Sequence, residues 1–208
     1  MRSSEQTTVL ITGVTQGGLG AEVALAISRS LPKLLILAGR DLAKAQATET
    51  AIKLVTPGAA IRLLKLDLSS QKQIRQAANE VNGYQESIDR LINNAAIMAT
   101  SYATTEDGTE SQFGTNHIGH FLFTNLIMLK IFAAGQGARI VNVSSAGHRR
   151  SPVRFDDYNF GVCRFLLKLI LNLCVCDMNT EMGRTAQLTI NGRPMAKQRL
   201  RIFFSRWH

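Results

Sequence analysis

Two textures alternate along the first 160 residues. Short apolar runs without interruption are separated by longer stretches in which apolar residues recur every three or four positions. TTVLITG (7–13) is the first run, β-branched, continuously apolar and closed by glycine. A strand buried on both faces of a parallel sheet reads this way, because neither face needs a polar residue. KLLILAGR (33–40), AIRLLKLDL (60–68), IDRLINNAA (88–96) and ARIVNVSS (138–145) repeat the texture. Between them the spacing predicts helices over GAEVALAISRSL (20–31), DLAKAQATETAIKLV (41–55) and SSQKQIRQAANEVN (69–82), and a long helix within 109–134. Asp41 stands where an N-cap belongs, and serine opens the third helix. Strands and helices alternating at this spacing demand right-handed crossovers, so the fold class expected is α/β, a doubly wound parallel sheet. Ligands bind such sheets at the carboxyl ends of the strands, at the topological switch point.

The texture breaks near residue 161. All three cysteines (Cys163, Cys174, Cys176) and the single tryptophan lie beyond it. The net charge of +9 is uneven: residues 1–160 carry 16 basic and 13 acidic side chains, residues 161–208 carry 8 and 2. Two domains are therefore expected, the α/β domain over 1–160 and a basic tail over 161–208. No nucleic-acid reader motif accompanies the charge, so no specific nucleic-acid partner is expected. FLLKLILNLCVC (165–176) is too short, and too interrupted by Lys168 and Asn172, for a membrane span. The N-terminus runs straight into the first strand without a signal-peptide cleavage region, and the cysteines form no disulfide framework. The cytoplasm is the expected location.

Chemistry enters with TGVTQGGLG (12–20), which joins the first strand to the first helix. Gly13, Gly17, Gly18 and Gly20 allow a tight turn and a close backbone approach to a pyrophosphate. The helix start behind them offers N–H groups and a positive dipole end to the anion. The turn resembles the TGxxxGxG loop of the short-chain dehydrogenases/reductases, with one extra residue ahead of the closing Gly18-Leu19-Gly20. Either Gly17 or Gly18 can pair with the family's middle glycine.

Further matches follow in the family's order. LAGRD ends the second strand with Arg40, where an NAD-preferring member carries an acid. A guanidinium there can pair bidentately with a 2′-phosphate, so the resemblance implies NADP, against the plain alternative of a surface arginine. LDLSS places Asp67 where the family's aspartate contacts the adenine. NNAA (93–96) resembles the family's NNAG beside the cofactor ribose, through Asn94 and Ala95, with Ala96 in place of the glycine. NHIGHF (116–121) matches the long-helix motif whose asparagine, here Asn116, organises the proton relay. IVNVSS (140–145) matches the strand bearing the catalytic serine, Ser145 by register. Together the matches cover about residues 7–160, and RIVNVSSAGHRR is most similar to the branch with retinol-dehydrogenase-like enzymes and fungal reductases. His117 and His120 stand three apart on one helix without a third metal ligand near in sequence, so no metal site is expected.

The resemblance implies hydride transfer between a nicotinamide and a carbonyl or alcohol substrate, with a tyrosine whose pKa is lowered by a lysine four residues later. Tyrosine occurs only at 84, 102 and 158, and Val162 stands four residues after Tyr158. The sheet is therefore expected to be incomplete after the fifth strand, and turnover absent or very low. A family-like dimer, built on the long helix and the next one, is not expected. The tail permits a nucleotide-level reading. Val162-Cys163 can be encoded as GTATGT, like an intron donor, and Leu188-Thr189 can supply CTAAC, like a branch point. In a shifted frame RPMAKQRLRIFFSRWH (193–208) can read AYGQAKTANILFSVA, which restores tyrosine and lysine at YxxxK spacing. Residues from about 162 are expected to be retained intron followed by out-of-frame exon. Two functions compete: an NADP-dependent oxidoreductase by ancestry, and a non-catalytic NADP-binding protein or partner of an intact relative. Nucleic-acid or lipid binding through the basic tail is the outsider.

Overall fold

The computed structural model describes residues 6–149 and 155–161; the basic tail expected from 161 lies outside them except for Gly161. The described residues fall into two compact units, one ending at Ser144 and one beginning at Ser145. In the first unit β1 (Thr8–Thr12), α1 (Leu19–Ser28), β2 (Leu34–Gly39), α2 (Leu42–Val55), β3 (Ile61–Lys65), α3 (Gln71–Gly83) and β4 (Arg90–Asn93) follow in order. A segmented helix comes next: α4 (Ser111–Phe113), a π-helical turn (Gly114–Gly119), α5 (His120–Leu126) and α6 (Met128–Phe132). β5 (Arg139–Asn142) closes the unit.

All strand pairs are parallel, in the order β3-β2-β1-β4-β5. The chain winds outward from β1 to β3, then returns to the other side of β1 for β4 and β5. The switch point lies between β1 and β4, so the fold is the expected doubly wound, Rossmann-type sheet. Alternate strand residues feed two cores, which explains the continuous apolar runs. Leu10, Ile36, Leu64 and Leu91 face Ile74 and Val81 of α3 and Phe123, Ile127 and Ile131 of the segmented helix. Val9, Ile11, Leu35, Leu37 and Ile92 face Ala24 of α1 and Ala45 and Ile52 of α2.

The caps follow the sequence. Asp41 accepts from the Ala43 and Lys44 amides at 3.0 and 3.3 Å, and Ser70 accepts from the Gln73 amide at 3.3 Å. The loop before the segmented helix is tied to the α3 start, where Ser70 donates to Glu106 and the Gln71 amide donates to Asp107 at 2.9 Å. Glu110 caps α4 through the Gln112 and Phe113 amides.

Two expectations need correction. The long helix is not one regular α-helix, because it opens into the π turn at Gly114 and breaks at Ile127 (φ −101°, ψ 8°). At Gly119 it passes so near the β3 end that a Cβ would meet the Leu68 carbonyl oxygen at 2.3 Å, so only glycine admits this approach. The third and fifth strands stop at Lys65 and Asn142 rather than running to residues 68 and 145, and the fourth stops at Asn93 rather than running to residue 96. Beyond it the Asn94 and Ala95 amides leave the ladder and bond to the Thr12 side chain.

The second unit, within its described residues, contains 3₁₀ turns at Ala146–Arg149 and Phe155–Asp157. Phe155 and Tyr158 are exposed, and Phe160 sits at φ 53° after a turn that its amide closes onto the Asp157 carbonyl.

Candidate functional site

The glycine turn is built around one hydrogen bond, from the Gly18 amide to the Thr15 carbonyl at 3.0 Å. Gly17, at φ 79°, is the third residue of that turn, a position that a type II turn reserves for glycine. Gly18 becomes the N-cap of α1, extended (φ −95°, ψ 161°) and without a side-chain cap, so the first amides of α1 point outward unclaimed by any capping side chain. Leu19 is 57% exposed at the helix start.

Gly13 and Gly20 hold the turn against the sheet. A Cβ on Gly13, which lies at φ 73°, would meet Ala95 Cα at 2.6 Å. A Cβ on Gly20 would meet the Gly13 carbonyl oxygen at 2.4 Å and Asn94 Nδ2 at 2.5 Å. Asn94 fixes this junction by donating to the Thr12 and Gly13 carbonyls at 2.9 and 3.1 Å. Turn, helix start and β4 end are therefore one interlocked backbone surface at the switch point. Ala96, in the family's glycine position, is exposed and avoids the positive-φ region.

Arg40 follows β2 and is exposed at the same end of the sheet. Asp67, after β3, is half-buried, and its Oδ1 accepts from the Ser69 amide at 2.9 Å and the Ser69 hydroxyl at 2.6 Å. Both of its observed bonds are local, so they hold the aspartate in a fixed loop.

Asn116 lies inside the π turn. Its amide clamps one backbone residue from both sides, donating to the Ile97 carbonyl and accepting from the Ile97 amide, each at 2.8 Å. The loop after β4 is thereby pinned to the helix. His117 is exposed and stacks on Phe113 with centroids 5.4 Å apart. His120 is buried, with Nε2 2.9 Å from Thr12 Oγ1 and Nδ1 3.0 Å from the Asn116 carbonyl. Burial holds this imidazole below its ordinary value of 6.5, an effect opposed by the Asn116 carbonyl and reinforced by His117. Among the described residues no three His, Cys, Asp or Glu side chains are grouped to hold a metal ion.

The structure thus brings together Gly13, Gly17, Gly18, Leu19, Gly20, Asn94 and Ala95 at the β1 and β4 ends, with Asn116 joined to them through His120 and Ile97. Ser145 opens the second unit, exposed, just ahead of the Ala146–Arg149 turn, and is described with that unit. Thr12 and His120 are the participants that sequence reasoning missed. His120 Nδ1 meets the main-chain carbonyl of Asn116, which any residue at 116 would present, so the sequence carried no signal for this contact. Tyr84 is at the other end of the sheet, at the C-cap of α3. Its hydroxyl donates to Glu80 at 2.6 Å and its ring lies under Arg62; burial, then Glu80, pushes the phenol up. No helix among the described residues is long and apolar enough to cross a membrane.

Residues 7–159 match the family model for short chain dehydrogenases. Human retinol dehydrogenase 13 is 40% identical over 190 residues, covering 88% of this chain and 56% of the relative. Oxidoreductase fscI of Fusarium equiseti is 36% identical over 157 residues, covering 74% of this chain and 61% of the relative. A solved but uncharacterised protein from Mycobacterium paratuberculosis superposes with a TM-score of 0.64 at 37% identity, covering 76% of this chain and 53% of that one. A metagenomic short-chain oxidoreductase crystallised with NADP shares the fold (TM-score 0.60, 22% identity, 83% of this chain and 77% of that one). The chain spans about half the length of the retinol dehydrogenases it matches. It belongs to the short-chain dehydrogenase family, in the retinol-dehydrogenase-like branch.

Proposed function

We propose that the chain binds NADP(H) at the carboxyl ends of β1, β2 and β4, as a short-chain oxidoreductase acting on a carbonyl or alcohol. The interlock of Gly13, Gly20 and Asn94 carries the reading. It leaves Gly17 and Gly18 as bare backbone directly before the uncapped start of α1, where amides and the helix dipole favour a pyrophosphate. Arg40 favours a 2′-phosphate over a bare ribose hydroxyl, because a guanidinium offers paired donors and a charge to that group. Asp67 would receive the adenine side of the ligand, and Asn94 and Ala95 the ribose. The nicotinamide supplies hydride transfer when bound. Ser145 would steady the substrate oxygen, and Asn116 would keep the loop after β4 in place.

The sequence also favours a second reading, binding without turnover. No tyrosine of the chain is followed four residues later by lysine: Tyr84 is followed by Ile88, Tyr102 by Glu106 and Tyr158 by Val162. Within residues 1–208, then, no tyrosine–lysine pair at that spacing is present to protonate an alkoxide formed by hydride transfer. We read residues 162–208 as retained intron and out-of-frame exon; a dominant message joining codon 161 to the shifted-frame YxxxK supports this, and a message reading through as printed removes it.

Titration of the purified chain with NADPH and NADH, followed by nicotinamide fluorescence, tests the binding. NADPH is expected to bind at least ~10-fold more tightly, the equivalent of about 1.4 kcal/mol. Binding of neither dinucleotide overturns the proposal. Aldehyde and ketone turnover on the same sample separates the oxidoreductase from the non-catalytic binder.

A further inference from the structure

Thr12 Oγ1 is a hub whose proton arrangement can be worked out atom by atom. It accepts from the Asn94 amide and from the Ala95 amide, each at 3.0 Å. A hydroxyl oxygen has two lone pairs, and these two donors engage both. Its own proton has two directions open, the Ile92 carbonyl at 3.5 Å and His120 Nε2 at 2.9 Å. The first distance is at the limit for an O–H donor and the second is ordinary. On the other side of the ring, Nδ1 faces the Asn116 carbonyl at 3.0 Å. A carbonyl only accepts, so Nδ1 carries the proton and Nε2 is the bare acceptor. The two ends of the ring agree on one neutral tautomer.

We propose that His120 is a positioning residue which, as the neutral Nδ1–H tautomer, orients the Thr12 hydroxyl and thereby holds the Asn94–Ala95 backbone and the Asn116 carbonyl in one register. The consequence for NADP(H) rests on the function proposed above. A proton added at Nε2 would point a third donor at an oxygen with two lone pairs. One of the Asn94 and Ala95 amides must then let go, and these amides hold the β4 end against the Gly13–Gly20 junction. The hydrogen-bond partners of the ring are the Thr12 hydroxyl on β1 and the Asn116 carbonyl on its own helix, both uncharged; the titratable neighbour on that helix is exposed His117, which further opposes a charge on the ring. Burial of the ring in the same place works in the same direction.

Nitrogen-15 spectra of the labelled full chain at pH 8, with the His120 ring assigned by its loss in His120→Gln, test the tautomer. A protonated Nδ1 and a bare Nε2 are expected; a protonated Nε2 or a charged ring overturns the proposal. Amide exchange at Asn94 and Ala95 tests the positioning. Protection should fall severalfold or more in His120→Ala and return in His120→Gln, whose carbonyl oxygen can accept the Thr12 hydroxyl; equal protection in all three proteins overturns it. NADPH affinity between pH 8 and pH 5 then tests the coupling. Because burial holds the ring below 6.5, the two profiles should run together near pH 8 and separate as the pH falls below 6.5, wild type losing up to ~10-fold per pH unit more than His120→Gln once the ring titrates, since one proton must leave for one ligand to bind. Titration of the ligand's own phosphate is common to both proteins and cancels. Parallel pH profiles overturn the coupling. Should wild type bind no NADPH at pH 8, the cofactor reading fails, while tautomer and amide exchange still decide the role of His120.

Discussion

Gly20→Ala sets two physical effects against each other with opposite signs. Gly20 is the second residue of α1, and alanine is the better helix former by about 1 kcal/mol. On propensity alone the variant is stabilised. The packing says otherwise. The new Cβ would lie 2.4 Å from the Gly13 carbonyl oxygen and 2.5 Å from Asn94 Nδ2, separations that real Cβ atoms essentially never show. Neither neighbour can yield cheaply. The Gly13 carbonyl belongs to a backbone already held at φ 73° against Ala95, and Asn94 is pinned by its bonds to the Thr12 and Gly13 carbonyls. Overpacking of this kind costs about 1–3 kcal/mol, so the propensity gain is outweighed or at best cancelled. A net loss of up to about 2 kcal/mol corresponds to a melting midpoint lower by up to ~8 °C in a chain of this size. The displaced helix start should also weaken NADPH binding by ~10-fold or more, because the interlock holds the start of α1 whose amides would meet the pyrophosphate. Thermal unfolding by circular dichroism and fluorescence titration measure the two effects. Asn94→Ala combined with Gly20→Ala is the control: it removes one clash but not the other, so the double variant should lose less than the sum of the singles. A higher melting midpoint with unchanged NADPH affinity would refute the interlock as the basis of the site.

Further expectations follow from single contacts. Arg40→Asp should weaken NADPH binding roughly 10- to 100-fold, the range for losing a hydrogen bond to a charged group, and leave NADH binding unchanged or improved; equal effects on both dinucleotides in the fluorescence titration would remove Arg40 from the 2′-phosphate. Thr12→Val keeps the volume but strands the Asn94 and Ala95 amides, so urea unfolding should show a loss of about 1–3 kcal/mol, where an ordinary core swap of equal size would show little. Phe123→Ala empties the centre of the core on the α3 side and should cost about 3–5 kcal/mol in the same assay. His120 is buried and held below 6.5, so the unfolded chain binds the proton first; stability from this group is complete above pH 6.5 and is lost as pH falls through the folded value. The urea midpoint of His120→Gln should therefore fall less than that of wild type between pH 7.5 and 5.5.

The sheet was legible in the sequence because burial on both faces leaves a mark no other element leaves. Leu34 to Ala38 are buried without exception, and the chain there is continuously apolar. Caps were legible for a similar local reason: Asp41 and Ser70 meet amides two or three residues ahead, so their spacing is their structure. What stayed hidden is non-local. The apolar period of 109–134 contains no sign that the helix widens at Gly114, since the π turn answers to partners elsewhere, Ile97 after β4 for Asn116 and Leu68 after β3 for Gly119. Strand four was overextended for the same reason, its last amides being captured by a side chain on β1 eighty-two and eighty-three positions earlier.

The same distinction separates the two halves of the candidate site. The glycines of the turn after β1 are close in sequence, and what tells Gly17 from Gly18, a positive φ at one and an extended N-cap at the other, is local to the turn bond from Gly18 to Thr15. His117 and His120 look equivalent in sequence, two imidazoles on adjacent turns. One stacks in solvent on Phe113; the other is buried between β1 and the π turn, where each ring nitrogen meets a partner of opposite hydrogen-bonding kind. Sequence spacing could nominate the pair but not choose between them, because the choice depends on which face of a widened helix turns toward Thr12. A widened turn rotates every following side chain, so a regular α-helix through the same residues would direct His120 elsewhere. The π turn is therefore the feature on which the contact of the helix with the ends of β1 and β4 depends, and its two glycines, Gly114 and Gly119, are where a Cβ would collide with Thr105 of the preceding loop and Leu68 beyond β3.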